Sequence, residues 1–368
     1  MSLVLDSLEI KNFRAFKHLR IEKLGRVNLI VGKNNIGKSS LLEALWIYAE
    51  QGEPALLYRI LTKRNEIAFE GEAVRRIPGN AQERASSLSN LFFEHQDTRL
   101  PHAPIHIGSL NNPPDAVQID VKWSSQNNGK GPETNGGISS AFTQSPILVL
   151  QFGQGSAVGI PCDQEVFWGD RIIPIGHTEY VSAFVVGAAG LSPTDVAVCW
   201  DEAAVDNLED DVLAALRIIA PNVERLMLIG HGKSGGFPAP FVRIGGMNRA
   251  LPLGSLGEGM NRMLGLILAL VNAKDGMLLV DEVDTGLHYS VLPDLWKLIF
   301  EVAHRLNVQV FATSHSWDCI QAFQQAAEEN EEEEGILIRL EHRDGDVYPV
   351  TFDEQKLGIA ARELIEVR

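Results

Sequence analysis

Hydrophobic and polar positions alternate along the first thirty residues in a way that reads as strands. LVLDSLEIKNFRAF and HLRIEKL carry period-two stretches, and RVNLIV is a short apolar run. The spacing then changes, and Ser39 to Ala49 predicts a helix. Residues 51–145 differ in character. NNPPD and SSQNNGKGPETNGG are loop signals, whereas VQIDVKW sets Val117, Ile119 and Val121 against polar neighbours as a strand. This region reads as an insert, helical first and then β and loop. From about 146 the apolar content rises. SPTDVAVCWDEA predicts a helix with Ser192 as N-cap, Pro193 at the first helical position and Asp195 in the first turn. EDDVLAALRIIAP predicts a second, stopped by Pro221. ERLMLIG and FVRIG read as strands around the flexible HGKSGGFPAP, and VLPDLWKLIFEVAHRL as a long amphipathic helix. The last segment reads as an acidic loop, a hairpin (GILIRLEHRDGDVYPVTF) and a closing helix. There is no internal repeat and no long heptad run.

Bulk properties narrow the classes. A chain of 368 residues suits a large α/β domain with an insert, or two domains. No apolar stretch reaches the ~18 residues of a membrane span, and MSLVLDSLEIKNF lacks the basic start of a signal peptide. Cys162, Cys199 and Cys319 are scattered without metal-ligand spacing and suit a reducing cytoplasm, so a cytoplasmic protein is expected. The net charge of −16 argues against DNA binding by general phosphate neutralisation. Glu328, Glu329 and Glu331 to Glu334 cluster in AAEENEEEEG, which predicts a solvated loop; the remainder still carries about −10. Any nucleic-acid contact is then a local patch or belongs to a partner.

Four motifs carry chemistry. VGKNNIGKSSLLEALW holds G-x-x-x-x-G-K-S between an apolar run and a helix. Gly32 and Gly37 allow the tight turn that points successive N–H groups at phosphate oxygens, with Asn34, Asn35 and Ser40 in the same loop. Lys38 supplies a point charge near the β- and γ-phosphates, and the Ser39 hydroxyl can ligate Mg²⁺. MLLVDEVD reads as a buried parallel strand with Asp281 and Glu282 at its carboxyl end, where open α/β sheets place ligands. Asp281 is the expected Mg²⁺ partner and Glu282 the group that orients or deprotonates the attacking water. In VQVFATSHS a strand runs out into Thr313, Ser314 and His315, and His315 is a candidate sensor of the γ-phosphate. GSLGEGMNR places Ser255 and Gly257 before an apolar helix as a second anion site. One nucleotide does not need two cradles, but two chains arranged head to tail can each offer the second cradle to the other.

In this order the motifs resemble the ABC-type ATPases, within them the branch of SMC, RecF and OLD-family ATPases often described as AAA-family ATP-binding proteins. IKNFRAF with LIVGKNNIGKSSLLEAL, and SLGEGMNRMLGLILAL with LLVDEVDTGLH and ATSHS, carry the likeness over residues 1–50 and about 245–320. The resemblance implies a P-loop α/β fold: an ABC-type ATPase head over 1–50 and 146–368, with a mixed sheet flanked by helices, an N-terminal antiparallel β-lobe and an α+β insert at 51–145. It implies ATP and Mg²⁺ as cofactors. It matches Ser255, Gly257 and Glu258 to the signature that contacts the opposite subunit's ATP, with Leu256 replacing the usual small residue. It also matches Asp284 to the loop crossing the dimer interface, His315 to the switch histidine, and Arg14 to a basic residue approaching the nucleotide. The glutamine of the usual Q-loop is not placed, Gln151 being only a weak candidate.

The gap of 215 residues from Ser39 to Ser255 has no heptads for an SMC coiled coil, and the 53 residues after His315 are too few for the TOPRIM nuclease domain of single-chain OLD proteins. The expectation is therefore a stand-alone ATPase that dimerises through ATP and drives a separately encoded effector, such as a nuclease, in DNA repair or phage defence. Two rivals stay open: a RecF-like DNA clamp using Arg59, Lys63, Arg64, Arg75 and Arg76, and a scaffold locked by ATP with little hydrolysis. A transporter motor is more distant, and no membrane partner is expected.

Overall fold

Alternation becomes strand because it buries one face. In Leu8–Phe13 (β1), Leu8 and Ile10 are buried while Glu9 and Lys11, alternating with them, are partly exposed. The structure, a computed structural model, describes residues 3–67, 80–112, 115–125, 144–162, 181–230, 238–330 and 335–352. After β1 come Phe16–Ile21 (β2), Val27–Val31 (β3), the helices Lys38–Ala49 (α1), Pro54–Lys63 (α2) and Ala81–Leu88 (α3), and the strands Ile105–Gly108 (β4), Ala116–Ser125 (β5), Gln144–Phe152 (β6) and Val158–Pro161 (β7). Then follow Ala183–Val186 (β8), Pro193–Val205 (α4), Glu209–Ile219 (α5), Val223–Ile229 (β9), Ala239–Ile244 (β10) and Leu251–Pro252 (β11). The remainder is Glu258–Asn272 (α6), Met277–Val280 (β12), Leu292–Arg305 (α7), Gln309–Thr313 (β13), Trp317–Glu329 (α8), Gly335–Arg343 (β14) and Asp346–Phe352 (β15). The expected closing helix lies outside the described residues.

The chain divides into two units. The first comprises Met1–Ser7, Ile21–Leu42 and Val181–Arg368. Its main sheet runs β15-β14-β3-β13-β12-β8. The strands β14, β3, β13, β12 and β8 pair in parallel, and β15 pairs antiparallel at the edge. Buried residues of β3, β12 and β13 form one core with Leu264, Ile267 and Val271 of α6 and Leu295 and Phe300 of α7. Each such side chain contributes about 1.5–3 kcal/mol by leaving water. A small antiparallel sheet, β11-β10-β9, belongs to the same unit. Helix α4 starts as its sequence predicts: Ser192 Oγ accepts from the Asp195 N–H, and the Asp195 carboxylate accepts from the Ser192 N–H.

The second unit comprises Leu8–Arg20 and Glu43–Tyr180. Its sheet runs β2-β1-β4-β5-β6-β7, antiparallel from β1 through β7. These bounds differ from the division at 50 and 146 drawn from the sequence. The N-terminal hairpin pairs through β1 with β4, so strands expected in the head and in the insert share one sheet.

The acidic run also departs from expectation. Glu328 and Glu329 are the last residues of α8 rather than part of a loop. Gln324 and Gln325 donate one turn ahead to Glu328 and Glu329, and Lys297 pairs with Glu329 at 3.5 Å. Residues 331–334 lie outside the described set.

Among the described residues no helix is long and apolar enough to cross a membrane. The three cysteines are free and buried, and burial pushes Cys199 and Cys319 up to about 12. Alkylation of these two by iodoacetamide at pH 8 is expected to run roughly 10³-fold slower in the native protein than after unfolding, because so little thiolate is present. Mass spectrometry of the labelled peptides checks this; equal rates in the two states would contradict the burial.

Candidate active site

The strand β3 is buried along its whole length and delivers the chain into the lysine loop. Gly32 is required there. Its φ is +142°, and a Cβ would lie 2.8 Å from the Leu340 carbonyl oxygen. Asn35 and Gly37 also take positive φ, at 61° and 107°. Lys33, Asn34 and Asn35 are exposed at the tip, and Ser40 is buried. The Lys38 ammonium folds back over the loop and donates to the carbonyls of Gly32 at 2.8 Å and Lys33 at 3.1 Å. Burial lowers its pKa, and the charges of Asp281 and Glu282 oppose that shift.

The carboxyl ends of β3, β12 and β13 are neighbours because β13 pairs in parallel with both. This brings the second and third motifs onto the first. Ser39 Oγ donates to Asp281 Oδ2 at 2.9 Å, and Thr313 Oγ1 donates to Asp281 Oδ1 at 2.6 Å. The same Thr313 hydroxyl accepts from the Glu282 N–H at 2.8 Å. Thr313 thus joins both carboxylate residues, a part its place at a strand end did not announce. Glu282 sits at φ +50°, a costly setting for a non-glycine residue. Its Oε2 accepts from Thr285 Oγ1 at 3.0 Å. His315 follows β13 and is exposed.

The fourth motif stands apart. Leu253–Leu256 form a single 3₁₀ turn in which exposed Ser255 donates to the Pro252 carbonyl at 2.7 Å. Gly257 (φ +121°) caps α6 without a side-chain hydrogen bond, and a Cβ there would meet nothing within 4 Å. No hydrogen bond among the described residues joins Ser255 or Gly257 to residues 32–39. Glu258 opens α6, and its side chain lies outside the described set. Asp284 is half-buried, with Oδ1 unpartnered among the described residues.

Arg14 is engaged by carboxylates of its own unit. It is buried at φ +47° in the β1–β2 turn. Its guanidinium makes a two-pronged contact with Glu66, at 2.8 and 3.0 Å, and an ion pair with Glu43 at 2.7 Å. Burial holds the Glu43 carboxyl above its usual range, against the pull of Arg14 and Arg64. The basic cluster of the clamp reading is also engaged. Arg59 and Lys63 sit 4.4 and 4.9 Å from the Trp46 ring centre, and Arg64 pairs with Glu43 at 2.6 Å. Arg75 and Arg76 lie outside the described residues. Gln151 donates to the Gly155 carbonyl at 3.1 Å in the β6–β7 turn.

Residues 4–105 match the family described as "AAA ATPase domain", and residues 215–318 match "AAA domain, putative AbiEii toxin, Type IV TA system". An ATP/GTP phosphatase of Helicobacter pylori is 22% identical over 391 residues, covering 96% of this chain and 97% of the relative. Structural maintenance of chromosomes protein 5 of Arabidopsis thaliana is 29% identical over 47% of this chain and 15% of its own length. The DNA replication and repair protein RecF of Bacillus mycoides is 32% identical over 24% of this chain and 22% of its own. Among solved structures, an SMC head bound to the C-winged helix domain of ScpA superposes with a TM-score of 0.51 at 14% identity, over 96% of this chain and 99% of that one. Both halves of the site fall within segments that match AAA ATPase domains, and the chain is built on the SMC-head fold.

Proposed function

We propose that two copies of this chain close head to tail around two ATP molecules, hydrolyse them with Mg²⁺, and through that opening and closing drive a separately encoded effector that works on DNA. The observation that carries the reading is the division of the site. Ser39, Asp281, Thr313 and Glu282 are hydrogen-bonded in one cluster with the Lys38 charge beside it, whereas the Ser255–Gly257 turn is exposed and, among the described residues, makes no hydrogen bond to residues 32–39. A helix N-terminus without a side-chain cap suits a phosphate brought by another molecule.

Ser39 and Asp281 are the residues that would hold Mg²⁺. Both are hard oxygen donors, already 2.9 Å apart, and fit an ion that completes its shell with water and phosphate. The ion supplies charge neutralisation at the phosphates. Lys38 adds a cation on the loop side, Glu282 orients the attacking water and takes its proton, and His315 donates to the transferred phosphoryl group. Asp284 lies on the segment expected to face the partner copy. The similarity to a replication and repair protein and to an SMC head carrying a ScpA domain supports a DNA-related effector, of which a nuclease in repair or phage defence is the form we favour.

The division predicts complementation. Lys38→Ala and Ser255→Arg should each be inactive alone. Mixed, they form dimers in which one site holds both lesions and the other holds none. Random pairing of symmetric protomers then restores about a quarter of wild-type turnover. Phosphate release from the mixture measures it, and a mixture as inactive as its components would sink the composite site.

A further inference from the structure

Arg262 lies on α6, one and a half turns after the Ser255–Gly257 turn, and none of the four motifs includes its side chain in the chemistry. Its Nη2 donates to the Glu282 carbonyl at 3.2 Å and its Nη1 to the Gly187 carbonyl at 3.1 Å, just beyond β8. The Glu282 peptide is therefore held from both sides. The Thr313 hydroxyl accepts from its N–H, while Arg262 and the Thr285 N–H both donate to its carbonyl. A left-handed glutamate persists only where its surroundings over-determine it, and Arg262 is the element of that restraint supplied by another helix. The seat of the guanidinium is built for it. Gly190 has φ +81°, and a Cβ there would lie 2.7 Å from Arg262 Nη1. Burial lowers the Arg262 pKa, opposed by the charges of Asp284 and Glu282.

We propose that Arg262 is a positioning residue for Glu282, tying the peptide of the catalytic base to the helix that begins at the serine-glycine turn. A phosphate seated on that turn then bears on the geometry of Glu282 through α6. The inference rests on the sandwich reading only for what occupies the turn; the restraint on Glu282 stands on the hydrogen bonds.

The test compares wild type with Arg262→Met, Arg262→Lys and Gly190→Ala in the full-length protein, measuring kcat, KM for ATP, melting temperature and ATP-dependent dimerisation. Misplacement of the base by a fraction of an ångström is expected to lower kcat about 10- to 100-fold in Arg262→Met and Gly190→Ala. KM should stay near wild type, and melting should be little changed in Arg262→Met, whereas Gly190→Ala should also melt lower because alanine is strained at φ +81°. Arg262→Lys, able to reach one carbonyl with a single ammonium, should recover part of the loss. Wild-type kcat in all three variants overturns the proposal. So does a fall in kcat that only tracks lost stability and is not eased by lysine. A wild type that turns over ATP without dimerising sinks the sandwich reading while leaving the kcat comparison to decide this one.

Discussion

Lys38→Ala is expected to silence the enzyme, with kcat lowered at least about 10²- to 10³-fold for one lost electrostatic donor, and to weaken nucleotide binding as well. The side chain does two things at once. Its ammonium donates to the Gly32 and Lys33 carbonyls and so holds the loop shut, and it is the cation beside Asp281 and Glu282. Alanine leaves two carbonyls without their donor and two carboxylates without a nearby counter-charge, just where a triphosphate must bring more negative charge. The lowered Lys38 pKa adds a second readout. The ammonium is the working form and is lost as pH rises, so the alkaline limb of kcat/KM, which reports the free enzyme, should set in at lower pH than an exposed lysine would give. Steady-state phosphate release and equilibrium ATP binding across pH check both effects. Unchanged turnover would refute the site assignment.

What could be read from the sequence was what depends on neighbours along the chain. The Ser192–Asp195 cap is complete within four residues, and it forms. The glycine-lysine loop fixes its own turn, and the apolar runs before Asp281 and Thr313 become the buried strands they predicted. Readings that failed or were missed depend on distant partners. Glu328 and Glu329 read as loop because like charges repel, yet glutamines one turn earlier and Lys297 extend the helix through them. The Arg14 contact with Glu66, 52 residues away, was missed for the same reason.

The register of the parallel sheet was likewise out of reach. Val280 pairs with Ala312, and only that alignment lets the Thr313 hydroxyl bridge Asp281 and the Glu282 N–H. Arg262 gave no local signal, because its acceptors come from two other segments. The joining of the N-terminal hairpin to later strands was hidden for the same reason: alternation names a strand but not its neighbour.

Glu282→Gln should lower kcat by about 10²- to 10⁴-fold, the usual contribution of a positioned base, while leaving ATP bound. The substitution keeps shape and removes only basicity. A glutamine oxygen still accepts from Thr285 Oγ1, and the main-chain bonds from Thr313 and Arg262 are untouched. Binding energy that wild type spends on a cycle of closing and opening then accumulates in the closed state. Sizing with light scattering in ATP and Mg²⁺ should show a long-lived dimer for the variant and a transient one for wild type. Single-turnover quenching should show uncleaved ATP inside it. Persistence of the monomer would remove the second copy from the mechanism. Turnover at the wild-type rate would move the base elsewhere, and exposed His315 at the end of the adjacent strand would be the next residue to replace.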